Sequence, residues 1–434
     1  MDKMADVLGR AGAWCGQNKY LSAIKNAFQN FMPLTIAGAI GVLWCNVLVN
    51  DQTGLGLFFK PIMALDFLNP AFQAVNFCTI SCITVGITLG IAQEIGVWNM
   101  GAEKAGYIPG LVGLAAWLSV TNTSHMVEGA KEAFTGIAGN ELGATGLFTG
   151  MIIGILSVEL FCFFEKQDAL KIKMPEQVPP GVARAFEVLV PATITLIITA
   201  CIGSACYNLT GLYLNDVIKN GIQGPLGAVG ATIPGVMIIY LVIMLFWLVG
   251  IHGNNMLSAV KEALFTPLAL ENVEAFNKGE TPKNIINMYF LQMCGEFGGS
   301  GVTIGLVIAI MIFGKREDNK AIATLSLVPG LFNINETVTF GVPMVLNPIL
   351  GIPFVVAPLI TIIIGYVLTV IGFCPVACLT VPWTTPPIVF GFLACGANVM
   401  GAVTQAILIV VSTVIYTPFL ISYEKYQNKQ AAEA

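Results

Sequence analysis

Charged residues are scarce in this chain. Asp, Glu, Lys and Arg together make up 10% of its 434 residues, whereas hydrophobic residues make up 56%. A soluble globular domain carries about 25% charged residues, so this composition excludes an ordinary soluble protein and predicts an integral membrane protein. With so few charges, nothing in the sequence indicates nucleic-acid binding.

Several motifs of soluble enzymes are also missing. The sequence contains no P-loop and no dinucleotide fingerprint, which argues against an ATP-driven pump. Its eleven cysteines lie mostly in apolar runs and include no CxxC pair, so we expect buried free thiols. We predict no cofactor and no metal site. No polar stretch is long enough for a soluble domain, so any cytoplasmic chemistry requires a separate partner chain.

Long apolar runs fill most of the sequence. A helix needs about 20 apolar residues to cross the hydrocarbon core. The runs predict spans at 31–50, 72–96, 106–122, 144–164, 186–208, 228–251, 352–372 and 398–423. Between 285 and 350, and again at 373–395, Gly, Pro and Asn interrupt the apolar sequence, which indicates further spans, half-helices or re-entrant hairpins. Residues 1–30 are typical of an amphipathic segment on the membrane surface.

Lysine and arginine predict the orientation of these spans. They gather in the N-terminal segment, in the loop at 165–184, in the GKREDNK loop at 314–320 and in the tail at 424–434. Three connections hold one lysine each: 51–70, 122–143 and 209–226. Because basic loops stay in the cytoplasm, we predict that both termini are cytoplasmic.

One of the two histidines follows an apolar run, in FWLVGIHGNN at 246–255. Gly250, Gly253 and the pair Asn254 and Asn255 would loosen the helix at its end. His252 would then face a polar pocket. The alternative is an interfacial histidine at a helix end.

A lone carboxylate marks LVPGLFNINETVTFGVPMVLNP at 327–348. Glu336 is the only charged residue in this Pro-broken stretch, next to Asn333 and Asn335. A charge at the bilayer centre costs about 2.5–3.5 kcal/mol on insertion scales, and is a functional hypothesis by default. The alternative is a structural carboxylate that caps a broken helix.

Two further broken stretches complete the candidate site. QMCGEFGGSG at 292–301 places Glu296 among glycines, and TVPWTTPPIVFGF at 380–392 places Trp383 among prolines that forbid a regular helix. Discontinuous helices in a transporter commonly hold the substrate. The alternatives are a flexible surface loop for Glu296 and an interfacial tryptophan for Trp383.

The residue types in these stretches indicate the ligand. They offer His, Glu, Asn, Thr and Trp, whereas the predicted spans of the second half contain no Lys or Arg. Carboxylates and amides satisfy buried hydroxyls in place of water. We therefore expect a neutral, hydroxyl-rich ligand.

Three motifs together resemble a known family. GIHG at 250–253, NINETVTFGVPMVLNP at 333–348 and PWTTPP at 382–387 are similar to the sugar-transporting IIC component of the bacterial phosphotransferase system, lactose/cellobiose/chitobiose branch. The resemblance implies an all-α integral membrane protein of about ten spans with two re-entrant hairpins. It also implies two halves: 31–210, which forms most of a homodimer interface, and 211–423, which binds the sugar.

The resemblance also implies a reaction. A phosphocysteine on a separate IIB protein donates phosphate to the C6 hydroxyl of the sugar, and His252 and Glu336 lie beside that hydroxyl. Glu336 is then the expected base and His252 its hydrogen-bond partner on the same hydroxyl. We place seven further residues at the sugar: Asn140, Asn254, Asn255, Glu296, Asn333, Asn335 and Trp383.

We therefore expect the permease of a phosphotransferase system in the bacterial cytoplasmic membrane, carrying a β-linked disaccharide of the cellobiose or diacetylchitobiose type. Whether it counts as an enzyme stays open, because it transfers phosphate only together with IIB. Two other classes also stay open. A cation-coupled sugar symporter would use Glu336 to carry a proton. A membrane enzyme acting on lipid-linked sugars would need cationic residues for a pyrophosphate.

Overall fold

A computed structural model describes residues 10, 13–14, 17–51, 55–125, 134–175, 177–342 and 344–433, most of which are helical. Part of the predicted amphipathic segment at 1–30 lies outside the described residues. The described strands are β1 (Ser124–His125) and β2 (Phe134–Thr135), which pair antiparallel. The prediction of an all-α fold is confirmed.

The chain divides into two compact units. The N-terminal unit contains residues 17–38 and 74–227, and the C-terminal unit contains residues 1–16, 39–73 and 228–434. The predicted division into halves at residue 210 stays a prediction.

Long helices dominate the chain up to residue 230. The α-helices are α1 (Lys19–Leu43), α2 (Asn69–Cys78), α3 (Ile83–Met100), α4 (Ala102–Ala105), α5 (Ile108–Val120), α6 (Gly139–Leu142), α7 (Ala144–Glu165), α8 (Pro180–Thr210), α9 (Leu214–Ile218) and α10 (Gly224–Gly230). Short 3₁₀ and π-helical pieces adjoin them at Trp44–Leu48, Leu55–Leu57, Lys60–Leu68, Ile80–Cys82, Asp168–Leu170 and Lys219–Gln223.

Small residues let helices of the N-terminal unit approach closely. α3 packs against both α5 and α7. A Cβ on Gly113 of α5 would overlap Ala92 of α3, and a Cβ on Gly150 of α7 would overlap Thr88 of α3. Close backbone approach at such residues is how helices associate in a bilayer, where lipid is as apolar as the helix surface.

The chain beyond residue 230 is broken more often. Its helices are α11 (Ile233–Leu248), α12 (Gly253–Met256), α13 (Ser258–Asn277), α14 (Met288–Gly295), α15 (Ile304–Phe313), α16 (Glu317–Leu331), α17 (Glu336–Gly341), α18 (Gly351–Val370), α19 (Val389–Ala394) and α20 (Val399–Glu433). A 3₁₀ turn at Ser300–Val302 precedes α15. The run Met288–Val302 and α15 meet at a bend of 59°.

Helix lengths agree with a multi-pass membrane protein. In the described part of the chain, six helical runs are long and apolar enough to cross a membrane: Lys19–Leu48, Lys60–Met100, Ala144–Glu165, Pro180–Thr210, Gly351–Val370 and Val399–Ala431. The bent pair around residue 303 makes a seventh if it is counted as one span. The count of about ten spans stays a prediction.

Two predicted spans are shorter helices than we expected. The stretch 228–251 contributes the last three residues of α10 and the 16 residues of α11. Thr232 caps the start of α11 by accepting a hydrogen bond from the Gly235 N–H over 3.2 Å, and Gly250 turns the chain after its end. The stretch 106–122 contributes only the 13 residues of α5, which begins beside Pro109 and ends where Thr121 becomes extended.

In the C-terminal unit, hydrogen bonds connect turns at each end of the run from α14 to α15. At one end, Glu424 of α20 accepts hydrogen bonds from the backbone N–H groups of Lys315 and Arg316, over 2.8 and 3.3 Å. Arg316 also binds Asp318 through its guanidinium and lowers the pKa of that carboxyl. The GKREDNK loop is therefore fixed against the C-terminal helix.

At the other end, side chains and backbone from several segments are hydrogen-bonded to each other. The carbonyl of Ala377 accepts hydrogen bonds from the amides of Asn272 and Asn287, each over 3.0 Å. Asn46 donates to the side chain of Asn277 over 3.0 Å. The run from α14 to α15 leads from this end to the GKREDNK loop, so the two groups of turns lie at opposite ends of that run.

Candidate functional site

His252 lies where an apolar helix stops. α11 ends at Leu248, and Gly250 adopts φ +82°, which diverts the chain from the helical path. His252 then caps α12, and its Nδ1 accepts a hydrogen bond from the Asn255 N–H over 3.2 Å. Because Nδ1 is the acceptor in this arrangement, the neutral imidazole carries its proton on Nε2.

Packing holds the same imidazole in place. A Cβ on Gly253 would overlap the carbonyl oxygen of Ile243, so only glycine lets α12 lie this close to α11. The buried indole of Trp247 packs against the His252 ring, with a centroid distance of 4.4 Å and an interplanar angle of 47°. The ring is therefore fixed by a backbone donor on one nitrogen and by an aromatic neighbour, and Nε2 is left for other partners.

Glu336 approaches His252 from a separate broken segment. It is the first residue of α17, after the turn that follows α16. Its Oε1 lies 3.8 Å from Nε2 of His252. The side chains of His252 and Glu336 are 38% and 47% exposed, so a ligand can reach both of them.

The distance between these two atoms fits one intervening oxygen. A direct N–H···O hydrogen bond spans about 2.7–3.2 Å, so the 3.8 Å separation is too long for one. An oxygen placed about 2.8 Å from each atom would subtend roughly 85° between them. Such a hydroxyl would accept from Nε2–H and donate to the carboxylate. The pair can therefore orient an alcohol and remove its proton.

Glu296 has a different environment from Glu336. Lys261 of α13 forms an ion pair with its carboxylate, and the Tyr240 hydroxyl donates to Oε1 over 2.8 Å. The Lys261 and Glu296 side chains are only 8% and 18% exposed. The Lys261 cation and the Tyr240 hydroxyl thus already occupy this carboxylate. This geometry favours a structural role for Glu296.

Lys261 is the main residue that the sequence analysis misses. The predicted spans stop at residue 251 before α13, so the argument that they lack cations does not reach this lysine. The neighbourhood nevertheless contains a cation, because Lys261 is buried and also donates to Asn254 Oδ1 over 3.1 Å. One signal was available, since Lys261 follows Asn254 by seven residues, or two helical turns.

Two predicted sugar ligands direct their amides at the protein. Asn254 Nδ2 donates to the Ser300 hydroxyl over 2.9 Å, and its oxygen faces Lys261. Asn335 is buried and donates to the Ser300 carbonyl over 2.9 Å and to the Thr339 hydroxyl over 3.1 Å. Both asparagines tie the glycine-rich stretch at 298–301 to neighbouring segments.

Asn333 joins three broken segments. Its backbone has φ +62°. Its Oδ1 accepts from the Gly298 N–H over 2.6 Å, and its Nδ2 donates to the carbonyls of Trp383 and Thr385, over 2.5 and 3.1 Å. The bond to the Trp383 carbonyl leaves the indole free, and that residue is 44% exposed. Trp383 is thus held by its backbone while its ring stays accessible.

The remaining predicted residues contribute less to this geometry. Asn255 is exposed, and its backbone N–H binds His252 as described. Asn140 lies in α6 of the N-terminal unit, and its side chain lies outside the described part of the chain. The second histidine, His125, lies in β1 of that unit, where its Nε2 is 3.2 Å from the Asn122 carbonyl.

Comparison with known proteins identifies the family. The sequence profile described as "Phosphotransferase system, EIIC" matches residues 25–358. The oligo-beta-mannoside-specific EIIC component of Bacillus subtilis (strain 168) is 33% identical over 98% of this chain and 94% of that protein. The cellobiose-specific EIIC component of Lactococcus lactis subsp. lactis (strain IL1403) is 30% identical over 98% of both chains.

A solved structure matches the fold as well. The crystal structure of the transporter ChbC, the IIC component from the N,N'-diacetylchitobiose-specific phosphotransferase system, is 30% identical in sequence. It superimposes with a TM-score of 0.88 and covers 97% of each chain.

Proposed function

The chain belongs to the phosphotransferase system EIIC family, and from this premise we propose that it is the permease for a β-linked disaccharide of the cellobiose or diacetylchitobiose type. Relatives that match nearly its whole length are named for oligo-β-mannosides and cellobiose, and the similar solved structure is named for N,N'-diacetylchitobiose. These names share β-linked saccharides, which supports this substrate class.

The spacing of His252 and Glu336 carries the mechanistic part of the proposal. Nε2 and Oε1 are 3.8 Å apart, and a sugar hydroxyl between them would accept one hydrogen bond and donate another. That hydroxyl is the C6 hydroxyl in our proposal. The Glu336 carboxylate is half-exposed beside Nε2 of His252, whereas the Glu296 carboxylate already pairs with Lys261. We therefore assign removal of the hydroxyl proton to Glu336.

The reaction then needs one partner. The hydroxyl oxygen forms a bond to the phosphorus of a phosphocysteine on IIB, the S–P bond breaks, and the thiolate leaves with its electron pair. Glu336 takes the hydroxyl proton. Because phosphoryl transfer has a loose transition state, most of the catalysis comes from positioning the two reactants and from electrostatics. The sugar phosphate that forms is anionic and no longer fits a site built for a neutral hydroxyl.

The hydrogen bonds of the asparagine side chains indicate how the walls of the proposed site are held in place. We propose that the accessible indole of Trp383 stacks on the apolar face of a sugar ring, as aromatic side chains do with partly apolar ligands. Asn254, Asn333 and Asn335 hold the segments that form the walls, since their side chains bind protein groups. This assigns them positioning roles in place of the direct sugar contacts that the sequence predicts.

The membrane arrangement is part of the proposal. We place both termini and the loops at 165–184 and 314–320 in the cytoplasm of a bacterium, on the positive-inside rule, and we expect a homodimer. A cysteine introduced at Lys171 should resist an impermeant thiol reagent added from outside. Strong labelling there in a background without native thiols would overturn the orientation.

Reconstituted vesicles test the function directly. The purified protein alone should bind cellobiose or diacetylchitobiose without modifying it, and should yield internal sugar phosphate when phosphorylated IIB is supplied inside. Accumulation of unmodified sugar driven by a proton gradient, with no need for IIB, would favour a symporter and contradict the proposal.

A further inference from the structure

Three sulfur atoms meet in the C-terminal unit. The Cys395 Sγ lies 3.9 Å from the Cys374 Sγ and 3.8 Å from the Met293 Sδ. All three residues are at most 4% exposed. They come from different elements: Met293 from α14, Cys374 from the turn after α18, and Cys395 from the end of α19. We call these residues the sulfur cluster.

We propose that the sulfur cluster binds a soft monovalent metal cation of the copper(I) class. In the described residues, no group of three His, Cys, Asp or Glu side chains is placed to hold a metal, so the third ligand here has to be the methionine. Thiolate and thioether sulfurs are the donors that select copper(I) over harder ions.

The sulfur spacing fits a single bound ion. Two sulfurs that each lie about 2.3 Å from one metal, at an angle of roughly 110–120°, are ~3.8–4.0 Å apart. The two separations in the cluster fall in this range. An ion could therefore bridge Cys395 to either of its sulfur neighbours with little movement of the elements that carry them.

A buried hydroxyl next to the cluster supports this assignment. Thr404 is fully buried and its hydroxyl has no hydrogen-bond partner, although it lies near the Cys374 thiol. A hydroxyl without a partner in an apolar interior is unfavourable. When Cys374 loses its proton to a metal, this hydroxyl can donate to the thiolate, as groups around bound metals commonly do.

The binding step exchanges protons for a cation. The Cys374 and Cys395 thiols each lose a proton to solvent, because a cysteine binds a metal as its thiolate, and both sulfurs bond to the metal beside the Met293 thioether. The cation balances one thiolate charge, and the Thr404 hydroxyl can donate to the Cys374 thiolate. A metal bound to both Cys374 and Cys395 would also link the two ends of the segment that carries Trp383.

Silver(I), which has no redox chemistry under these conditions, is the probe. The test uses the full-length protein in detergent, with Cys15 and the exposed and half-buried cysteines 45, 78, 82, 201 and 206 replaced by serine. Titration followed by native mass spectrometry should show one tightly bound ion per chain. Affinity should rise about a hundredfold per pH unit while both free thiols stay protonated, because two protons are released.

Variants locate the ion. Cys374→Ser and Cys395→Ser should each abolish tight binding, and Thr404→Val should weaken it about tenfold, near the lower end of what loss of a group around a metal costs. The matched control is Cys294→Ser, since Cys294 is equally buried and adjacent to Met293 on α14. It should bind silver as tightly as the background protein.

A second measurement needs no substitution. X-ray absorption of silver on the wild-type protein, loaded at one ion per chain, should show only sulfur neighbours, three in number. Two outcomes would overturn the proposal: oxygen or nitrogen in that coordination shell, or tight binding that survives Cys374→Ser. Binding only to the exposed thiols, with none in the serine background, would overturn it as well.

Discussion

The two units use glycine for different purposes. In the N-terminal unit, Gly113 and Gly150 sit inside regular helices and let α5 and α7 approach α3. In the C-terminal unit, Gly298 and Gly299 have φ of +67° and +87° and turn the chain inside an apolar stretch. Among the described residues, every non-glycine residue with positive φ lies in the C-terminal unit: Val302, Asn333, Leu346, Ile388 and Ala397.

This difference shows where backbone strain is tolerated. Positive φ at a branched residue such as Ile388 costs of order 1–3 kcal/mol and persists only when neighbouring groups fix it. Gln405, which is buried, accepts from the N–H groups of Ile388 and Gly391, each over 2.7 Å. Backbone groups that leave the helical pattern at membrane depth need such partners. Backbone strain, stabilised by a buried amide acceptor, therefore occurs in the unit in which we propose the site.

The largest expected effect comes from substitutions at Glu336 and His252. Glu336→Gln replaces a proton acceptor with an amide of the same shape, so sugar binding should fall only several-fold. Phosphorylation-coupled uptake should fall about 10²–10⁴-fold, the usual contribution of a general base. His252→Ala should weaken both binding and transfer, because it removes the hydrogen-bond donor on Nε2.

The control for these variants is in the other unit. His125→Ala should leave uptake of radiolabelled sugar near the wild-type rate, since His125 lies in the β1–β2 hairpin. Wild-type rates for Glu336→Gln, together with loss of uptake in the His125 variant, would show that the site is misplaced.

The next effect tests the buried ion pair. Lys261→Met leaves the Glu296 carboxylate without its cation, and breaking a buried pair costs about 3–5 kcal/mol. The double variant Lys261→Met, Glu296→Gln removes both charges and should recover most of that stability while it keeps sugar affinity. Thermal unfolding in detergent and equilibrium binding measure the two quantities. A folded double variant that no longer binds sugar would show that Glu296 or Lys261 contacts the ligand.

Matched glycine substitutions sharpen the comparison between the units. In Gly299→Ala, the new Cβ lies in a φ +87° conformation and only 2.6 Å from the Asn335 Cβ. In Gly113→Ala, the new methyl group overlaps Ala92 within a regular helix. We expect each to destabilise the protein by about 1–3 kcal/mol, and only Gly299→Ala to weaken sugar binding. Equal losses of binding in both variants would contradict the division of roles.

The smallest effects come from single buried hydroxyls. Tyr416 donates to the Gly301 carbonyl over 2.8 Å, and Thr149 in the N-terminal unit donates to Asn215 Oδ1 over 2.5 Å. Tyr416→Phe and Thr149→Val should each cost about 0.5–1.5 kcal/mol. Only the tyrosine variant should alter sugar affinity, because it releases the glycine-rich stretch. If Tyr416→Phe lowers stability but leaves sugar affinity unchanged, the glycine-rich stretch is not part of the site.

Sequence patterns predict the helical class and the places where helices break. Gly250 and the prolines around Trp383 prevent regular helix by local stereochemistry, which a sequence displays directly. The group to which a side-chain amide hydrogen-bonds, in contrast, can lie far away in the sequence. Asn254 and Asn335 carry the same side chain whether they bind a sugar or a neighbouring carbonyl, and only the fold shows that they bind protein groups. Lys261 is missed for a related reason, because its burial depends on Glu296, 35 residues further along the chain.

The backbone conformation and hydrogen bonds of Asn333 limit which amino acids can replace it. Its position requires φ +62°, one acceptor for Gly298 and two donors for the carbonyls of Trp383 and Thr385. Asp lacks the donors, Gly lacks the side chain, and Gln places its amide one carbon further from the backbone. Asn is also the non-glycine residue that, with Asp, best tolerates this backbone region. A saturation library at codon 333, selected for growth on the transported sugar, should therefore return to a single amino acid.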